Sequence, residues 1–313
     1  MKHFLLAVTF SWITLVAFGQ RQIETQLTPS HQAIAGTKVS LIPPKGFTKA
    51  ENFQGLQQTE TQSSIMVVTI PGPVAEILAG MTPENLSRQG VLASSIDSLQ
   101  INGLPAKLIR GTQSVQGITF GKRVLILGNE TESILLNAAF PESLQETGEE
   151  IEQSLLGLYY EAGKVIDPMA ALDYSMDVSA TKLKFGTAMG NSLIFTVDGK
   201  VPTASPDQTS LIVAQSFAES NPEDKKQFAI NRLMQTPLQI QSMEDVQEIR
   251  IDGLEGYEIY AIGQNAKTGE KEYLYQVMLF TDRIYYIFFG KTMIPGPESM
   301  EEIKKAVRTF RRK

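Results

Sequence analysis

The chain has 313 residues and no cysteine. That absence excludes disulfides, thiolate nucleophiles, cysteine-ligated zinc and iron–sulfur clusters. It also excludes the acylated cysteine that anchors a bacterial lipoprotein. Histidine is almost as scarce, with two in the whole chain, His3 and His31. His3 lies in the N-terminal apolar segment. His31 lies in a polar stretch, where it reads as a solvated residue. Ser–His–Asp and Cys–His catalysis need a histidine held in a packed site, and a histidine-rich metal centre needs several. The sequence therefore assigns no catalytic residue, no metal ligand and no cofactor. Positive charge is also in deficit: 28 Lys and Arg against 34 Asp and Glu give a formal net charge of −6. A nucleic-acid binder concentrates positive charge to displace phosphate counterions, so no nucleic-acid partner is expected.

Several chemical motifs are missing as well. Gly121 with Gly128, and Gly186 with Gly190, lack the Gly-Lys-Ser/Thr of a phosphate loop. No Gly-x-Ser-x-Gly nucleophile elbow is present. Asp198-Gly199 lacks the further acidic ligands of a calcium loop and reads as a tight turn. Beyond the N-terminus, no uncharged apolar run is long enough for a membrane-spanning helix.

What is present begins with an export signal. Lys2 and His3 precede a mostly apolar run from Phe4 to Phe18, and the small residues Ala17 and Gly19 stand three and one positions before Gln20. This is the pattern of a secretory signal peptide, 1–19, cleaved between Gly19 and Gln20. It predicts a periplasmic or secreted protein. Residues 20–36, rich in Gln, Thr and Ser, read as a flexible leader.

The rest reads as two similar blocks. In the first, strands are expected at 38–42, 61–70, 104–111, 117–127 and 132–140, stopped by Pro43-Pro44 and Pro71-Gly72-Pro73. Thr82 caps a short helix with Pro83 at its first position. Thr147 caps a longer one to about Tyr160, with Glu150 completing a capping box. In the second, strands are expected at 182–185, 192–197, 207–214 and 284–289, and helices from Asn221-Pro222 and from about Ser299. Three segments recur in order: Thr61 to Val68 with Asp207 to Ala214, Ile101-Asn102-Gly103-Leu104 with Ile251-Asp252-Gly253-Leu254, and Thr147-Gly148-Glu149-Glu150-Ile151 with Ser299-Met300-Glu301-Glu302-Ile303. Their offsets are 146, 150 and 152 residues, the drift that loop-length changes between two copies produce. The domains expected are 37–160 and 175–313, joined by a linker at 161–174. Tyr285-Tyr286-Ile287-Phe288-Phe289 is apolar on both faces of its strand, so each sheet needs cover on both sides. The fold class is α+β: two tandem domains, each a mostly antiparallel sheet with helices on both faces.

At this point the chain resembles the Mog1/PsbP/DcrB-like fold group. The resemblance rests on Leu41-Ile42-Pro43-Pro44-Lys45-Gly46-Phe47, on Ser64-Ile65-Met66-Val67-Val68 with its proline break and helix, and on Ile101-Asn102-Gly103-Leu104-Pro105-Ala106 before two long hairpin strands and a terminal helix. The second half follows the same plan from Leu183, with Gly190-Asn191 in place of the Pro-Pro-Lys-Gly turn. The resemblance implies α/β/α layering and a non-enzymatic binding or assembly role. It transfers no site residue.

The remaining candidates are carboxylates and a basic tail. Glu149-Glu150 and Glu301-Glu302 diverge as helix neighbours and read as N-terminal dipole partners. Asp252 with Glu255, or Asp282, would be half of a glycosidase-type pair. Arg308, Arg311, Arg312 and Lys313 end the last helix and would make weak contact with an anionic surface. The leading expectation is a non-catalytic binding or assembly protein of the bacterial envelope. Its partner is an unknown protein or envelope component, held in a groove between the domains. The alternative is a carboxylate-dependent hydrolase acting on an envelope polysaccharide or ester.

Overall fold

A computed structural model of the chain describes residues 21–313, apart from 116, 168, 171, 218, 245, 267 and 296 and the side chains of 297–299. The expected signal peptide and its cleavage site at Gly19 and Gln20 lie outside the described residues. The first half contains β1 (Arg21–Ile23), β2 (Gln32–Ala33), β3 (Val39–Leu41), β4 (Thr48–Lys49), β5 (Gly55–Gln58), β6 (Ser63–Pro71), α1 (Val74–Gly80), α2 (Pro83–Arg88), β7 (Val91–Ile101), β8 (Leu104–Val115), β9 (Ile118–Gly128), β10 (Glu132–Pro141), α3 (Gln145–Leu156) and β11 (Tyr159–Tyr160). Its main sheet runs β1-β7-β8-β9-β10-β6-β5-β4, and a small ribbon runs β11-β3-β2. The main sheet is antiparallel except where β1 joins β7.

The second half contains β12 (Tyr174–Ser175), β13 (Lys184–Met189), β14 (Ser192–Thr196), β15 (Ser210–Gln215), α4 (Lys225–Met234), β16 (Leu238–Met243), β17 (Gln247–Ile251), β18 (Leu254–Asn265), β19 (Lys271–Phe280), β20 (Tyr285–Thr292), α5 (Pro297–Arg308) and β21 (Arg311–Arg312). Its sheet runs β13-β14-β15-β20-β19-β18-β16, with β17 also on β18, while β12 pairs with β21.

Alternation along the strands sorts residues to two covered faces. In β10, Ile134, Leu136, Ala138 and Phe140 pack with Ile151 and Leu155 of α3. On the other face, Leu135 of β10 joins Val124 and Ile126 under Val74 of α1 and Leu86 of α2. In β20, Tyr286 and Phe288 meet Ile303, Ala306 and Val307 of α5. Tyr285, Ile287 and Phe289 lie on the opposite face with Ala229 and Leu233 of α4. The sheets are thus mostly antiparallel with helices on both faces, the arrangement that a doubly apolar strand requires.

The two sheets agree in register as well as in order. Ile101 pairs with Leu104 as Ile251 pairs with Leu254. Ile65 pairs with Ala138 as Leu211 pairs with Gly290. Asn102 and Gly103 have φ of 48° and 76°, and Asp252 and Gly253 have 50° and 76°. Two successive left-handed residues make the hairpin turn whose twist matches the strands, which is why Asn-Gly and Asp-Gly stand there. Before β6 and β15, Gln62 and Gln208 repeat the left-handed conformation at 59° and 51°.

Several expectations are corrected. Helix α3 begins at Gln145 after Leu144, with no side-chain cap, so Thr147 sits inside it and the capping box does not form. Gly148, inside the helix, lies under Phe140, where an added Cβ would be 2.3 Å from the ring. Helix α4 begins after Asp224, whose carboxylate accepts from the Gln227 amide at 2.8 Å, and not at Asn221-Pro222. The Ser220 amide donates to the Arg283 carbonyl at 2.7 Å and holds the earlier stretch extended. The Thr82 cap forms as expected. The leader 20–36 is tied down at several described points. Thr25 donates from its hydroxyl to the Leu158 carbonyl at 2.7 Å, and His31 Nε2 lies 2.9 Å from the Gly157 carbonyl. His31 is half-buried, not solvated, because the last carbonyls of α3 need donors. Packing of the second half starts at Leu172 and Tyr174, inside the expected linker.

Candidate functional site: the groove between the two sheets

The halves touch through few, mostly polar contacts. The turn at Gly190-Asn191 reaches across, and the Asn191 amide donates to the Asn52 carbonyl at 3.3 Å and to the Gln215 carbonyl at 2.6 Å. Gln215 donates from Nε2 to Asn52 Oδ1 at 3.4 Å. At the rim, Arg283 pairs with Glu219 and, at 3.3 Å, with Glu51, all well exposed. Exposed ion pairs contribute little, on the order of 0–1 kcal/mol.

A groove opens on each side of this contact. One of about 180 Å³ is lined by Ala50, Asn52, Gln54, Leu172, Asn191 and Gln215. The other, of about 520 Å³, is bordered by Thr69 and Pro71 of β6, by Phe185, Thr187 and Ala188 of β13, and by Glu132. Both strand edges that border it lack a ladder partner there. Strand β13 pairs only with β14. Strand β6 pairs with β5 as far as Met66, and the Val67 amide donates to Gln54 at 2.8 Å. Beyond that point β6 has only β10 beside it. Antiparallel strands direct alternate residues to opposite edges, so the backbone groups of Thr69 point into the groove.

One wall of the larger groove holds a compact polar cluster. Glu132 accepts from Lys38 Nζ at 2.6 Å and from the Tyr160 hydroxyl at a short distance. Burial, and then the bond to Glu132, pushes the Tyr160 phenol well above its usual range. A phenol held that firmly in its neutral form is not a base near neutral pH. The cluster fixes the groove wall.

The sequence-derived candidates fall elsewhere. Glu301 pairs with Lys304 at 2.8 Å, and Glu302 accepts from the Lys182 amide at 2.8 Å. Asp252 accepts from the Arg312 amide and Nε, each at 3.1 Å, and these bonds hold its carboxyl below the usual carboxylate range. Glu255 and Asp282 do share one open groove of about 670 Å³ with Glu248, between Lys225, Arg250 and Arg312. All three carboxylates are exposed. A glycosidase acid needs a carboxyl that burial keeps protonated, and none of the three is placed for that. Asp198 takes donors from Thr196, Lys200, Thr203 and Ala204, which completes a turn. The basic tail folds back: Arg308 meets Glu258 at 3.5 Å, Arg312 meets Asp252, and Lys313 donates to the Met169 carbonyl at 2.7 Å. Arg308 and Arg312 keep about half of their side-chain surface exposed while making these contacts, at 48% and 43%. The aromatic run Tyr285 to Phe289 is core on both faces.

One charged cluster and one buried lysine went unread in the sequence. Arg110 and Arg123 both bond Glu152 of α3, at 2.7 and 3.1 Å, and Arg110 also meets Asp97. The Arg110 bond, against opposing burial, holds the Glu152 carboxyl below its usual range. Lys122 is 6% exposed with no ion pair among the described residues, and burial pushes its amine down to about 8. Arginines inside otherwise apolar strands were the available signal for the cluster. No described group of three or more His, Asp or Glu could hold a metal ion, and no described helix is long and apolar enough to cross a membrane.

No family model matches the chain, and no curated protein matches it. The Mog1/PsbP/DcrB-like resemblance therefore has only the layering behind it. Among solved structures, the chain is similar to the apo structure of the immunity protein TplEi of T6SS from Pseudomonas aeruginosa. That likeness has 10% identity, covers 90% of this chain and 96% of that one, and has a TM-score of 0.34. The same protein complexed with "L" peptide matches at 11% identity, 86% and 99% coverage, and a TM-score of 0.31. The Tle4–Tli4 complex matches at 11% identity, 86% and 98% coverage, and a TM-score of 0.31.

Proposed function

We propose that this is an exported, non-catalytic binding or assembly protein of the bacterial envelope, built from one α/β/α unit made twice. It holds its partner in the groove between the two. The partner is a protein or envelope component. The observation that carries the reading is the pair of strand edges without ladder partners, β6 beyond Val67 and β13, bordering one groove of about 520 Å³. Unpaired strand edges are the usual template for main-chain recognition, and proteins cover or blunt them unless they serve a purpose. The signal-peptide pattern supports export, and the exposed setting of Glu255 and Asp282 supports the non-catalytic part.

The test is affinity capture from envelope fractions with the mature chain, with each half alone, and with Thr69→Arg plus Ala188→Arg, which crowds the groove. The intact chain captures a defined partner, and the groove variant and both single halves lose it. A partner retained by either half alone, or by the groove variant, overturns the reading. Mass spectrometry of the exported protein should give Gln20 as the first residue.

A further inference from the structure

The larger groove begins where β5 leaves β6. Gly55 pairs with Met66, and the Gln54 carbonyl accepts the Val67 amide at 2.8 Å. At that point the chain is already turning back into β4, through the bond from the Ala50 amide to the Gly55 carbonyl at 3.0 Å. The next ladder position on this edge belongs to Thr69. Its N–H and C=O point away from β10, because Val67, two residues earlier, directs its own amide to Gln54. Among the described residues no group bonds either one. Pro71, the next outward residue, offers a carbonyl and no N–H. Across the groove stand Phe185 and Ala188 of β13, an edge strand whose single neighbour is β14. Val165 borders the same space and is 95% exposed, and Phe185 is 36% exposed. Of the charged groups in the groove, Lys38 and Glu132 neutralise each other at 2.6 Å. Lys164 donates to the Thr37 carbonyl at 3.1 Å and has no ion pair among the described residues.

We propose that the groove takes an extended polypeptide segment of its partner, which continues the β6 ladder antiparallel where β5 leaves it. This rests on the reading of the groove as the partner site and narrows that partner to a protein. An outward N–H and C=O on one residue are the matched pair that one residue of an antiparallel strand completes with two bonds. Both existing neighbours of β6 run antiparallel to it. The Pro71 carbonyl adds an acceptor for an amide two residues along the segment. A glycan has hydroxyls but no main chain that alternates N–H with C=O. Side chains of the added strand leave it alternately to two faces. Val165 and Phe185 offer apolar contact to one of them, and the Lys164 ammonium offers a charge. The segment therefore carries an apolar residue and an acidic one.

The probe is a phage library displaying random linear octapeptides, panned on the mature chain, with the recovered consensus peptide then made free. The consensus should hold one acidic and one apolar residue, and the free peptide should slow hydrogen exchange at the Thr69 amide. Thr69→Pro removes that N–H, which the fold does not use, and Pro71 already sits in the same phase of the edge. The variant should bind the peptide ~10-fold more weakly, the factor of one main-chain hydrogen bond. Thr69→Val keeps the N–H and should bind as the wild type does. No recovered peptide, a consensus without the acidic residue, an unprotected Thr69 amide, or equal binding by Thr69→Pro each overturns the proposal. If Thr69→Pro does not fold, the exchange measurement decides alone. Envelope capture separates this failure from failure of the groove reading. A partner lost with Thr69→Arg plus Ala188→Arg but kept with Thr69→Pro leaves the groove as the site and ends strand addition. A partner kept by both variants ends both.

Discussion

At one seat the two halves solve the same packing problem with opposite chemistry. In the first, a helix carboxylate, Glu152, is clamped by two sheet arginines. In the second, a helix ammonium, Lys304, lies over a sheet tyrosine whose neighbour Tyr275 donates to Glu258 at 2.7 Å. Bulk is redistributed too: Phe140 faces Gly121, whereas Thr292 faces Tyr273. The backbone plan fixes where a helix meets a sheet. It leaves open which side supplies the charge and which supplies the volume, so long as the space is filled and each buried polar group has a partner.

The comparison can be broken most forcefully at its largest side chain. Phe140→Ala should destabilise the first half by about 3–5 kcal/mol, because the ring is fully buried and two glycines cannot close the void. Thr292→Ala should cost only about 1 kcal/mol, chiefly the hydroxyl contact to Thr209 at 2.8 Å. Urea unfolding of the two variants gives the contrast, and equal losses would mean the seats are not equivalent.

The charge inversion is tested next. Glu152→Gln leaves Arg110 and Arg123 facing each other and should cost about 2 kcal/mol, less than a fully buried pair because all three side chains keep some water. Lys304→Met removes an exposed cation–π contact worth roughly 0.5–1 kcal/mol. Because the Glu152 pKa is depressed in the folded state, its contribution is present above the usual glutamate range and fades as pH falls through the lower folded value. Acid titration of wild type against Glu152→Gln should show that loss only in the wild type.

One effect has the opposite sign. Lys122 carries a folded-state pKa near 8 against 10.5 in the open chain, so the unfolded chain binds more protons between those values. Stability from this residue therefore rises as pH climbs from 8 to 10.5. Lys122→Met should stabilise the first half by about 1–2 kcal/mol at pH 7 and flatten that rise. In the second half, burial raises Tyr174, Tyr275 and Tyr286 and the trend reverses, with stability lost once pH passes the usual phenol range. Tyr160 adds a loss of the same sign to the first half, so the Lys122 rise should be read below pH 10.

The sequence was most legible where local chemistry dictates conformation. The paired Asn-Gly and Asp-Gly turns need left-handed residues, and both turns fall where the pattern placed them. The doubly apolar stretch Tyr285 to Phe289 required cover on both faces and has it. Helix starts were less legible: Thr147 lies inside α3, and the stretch at Asn221 is held extended by the bond from Ser220 to Arg283, far along the chain. The leader looked loose since it has few large apolar residues, yet hydrogen bonds from Thr25 and His31 reach the Leu158 and Gly157 carbonyls just after α3. The groove was expected between the halves, but its residues were beyond reach. Which strand edges stay unpaired depends on how the two sheets meet, and no local pattern records that.

The two matching turns also tether the two ends of the described chain. Asn102 receives the Thr25 amide at 2.7 Å beside β1, and Asp252 receives the Arg312 amide at 3.1 Å beside β21. A pull applied between Arg21 and Lys313 would therefore load two short terminal strands, β1 at the edge of the first sheet and β21 on β12, each latched to a hairpin corner, before it reached the long central strands. Those latches would act as mechanical fuses. Under tension the ends would peel first, and both cores, with the groove between them, would stay folded.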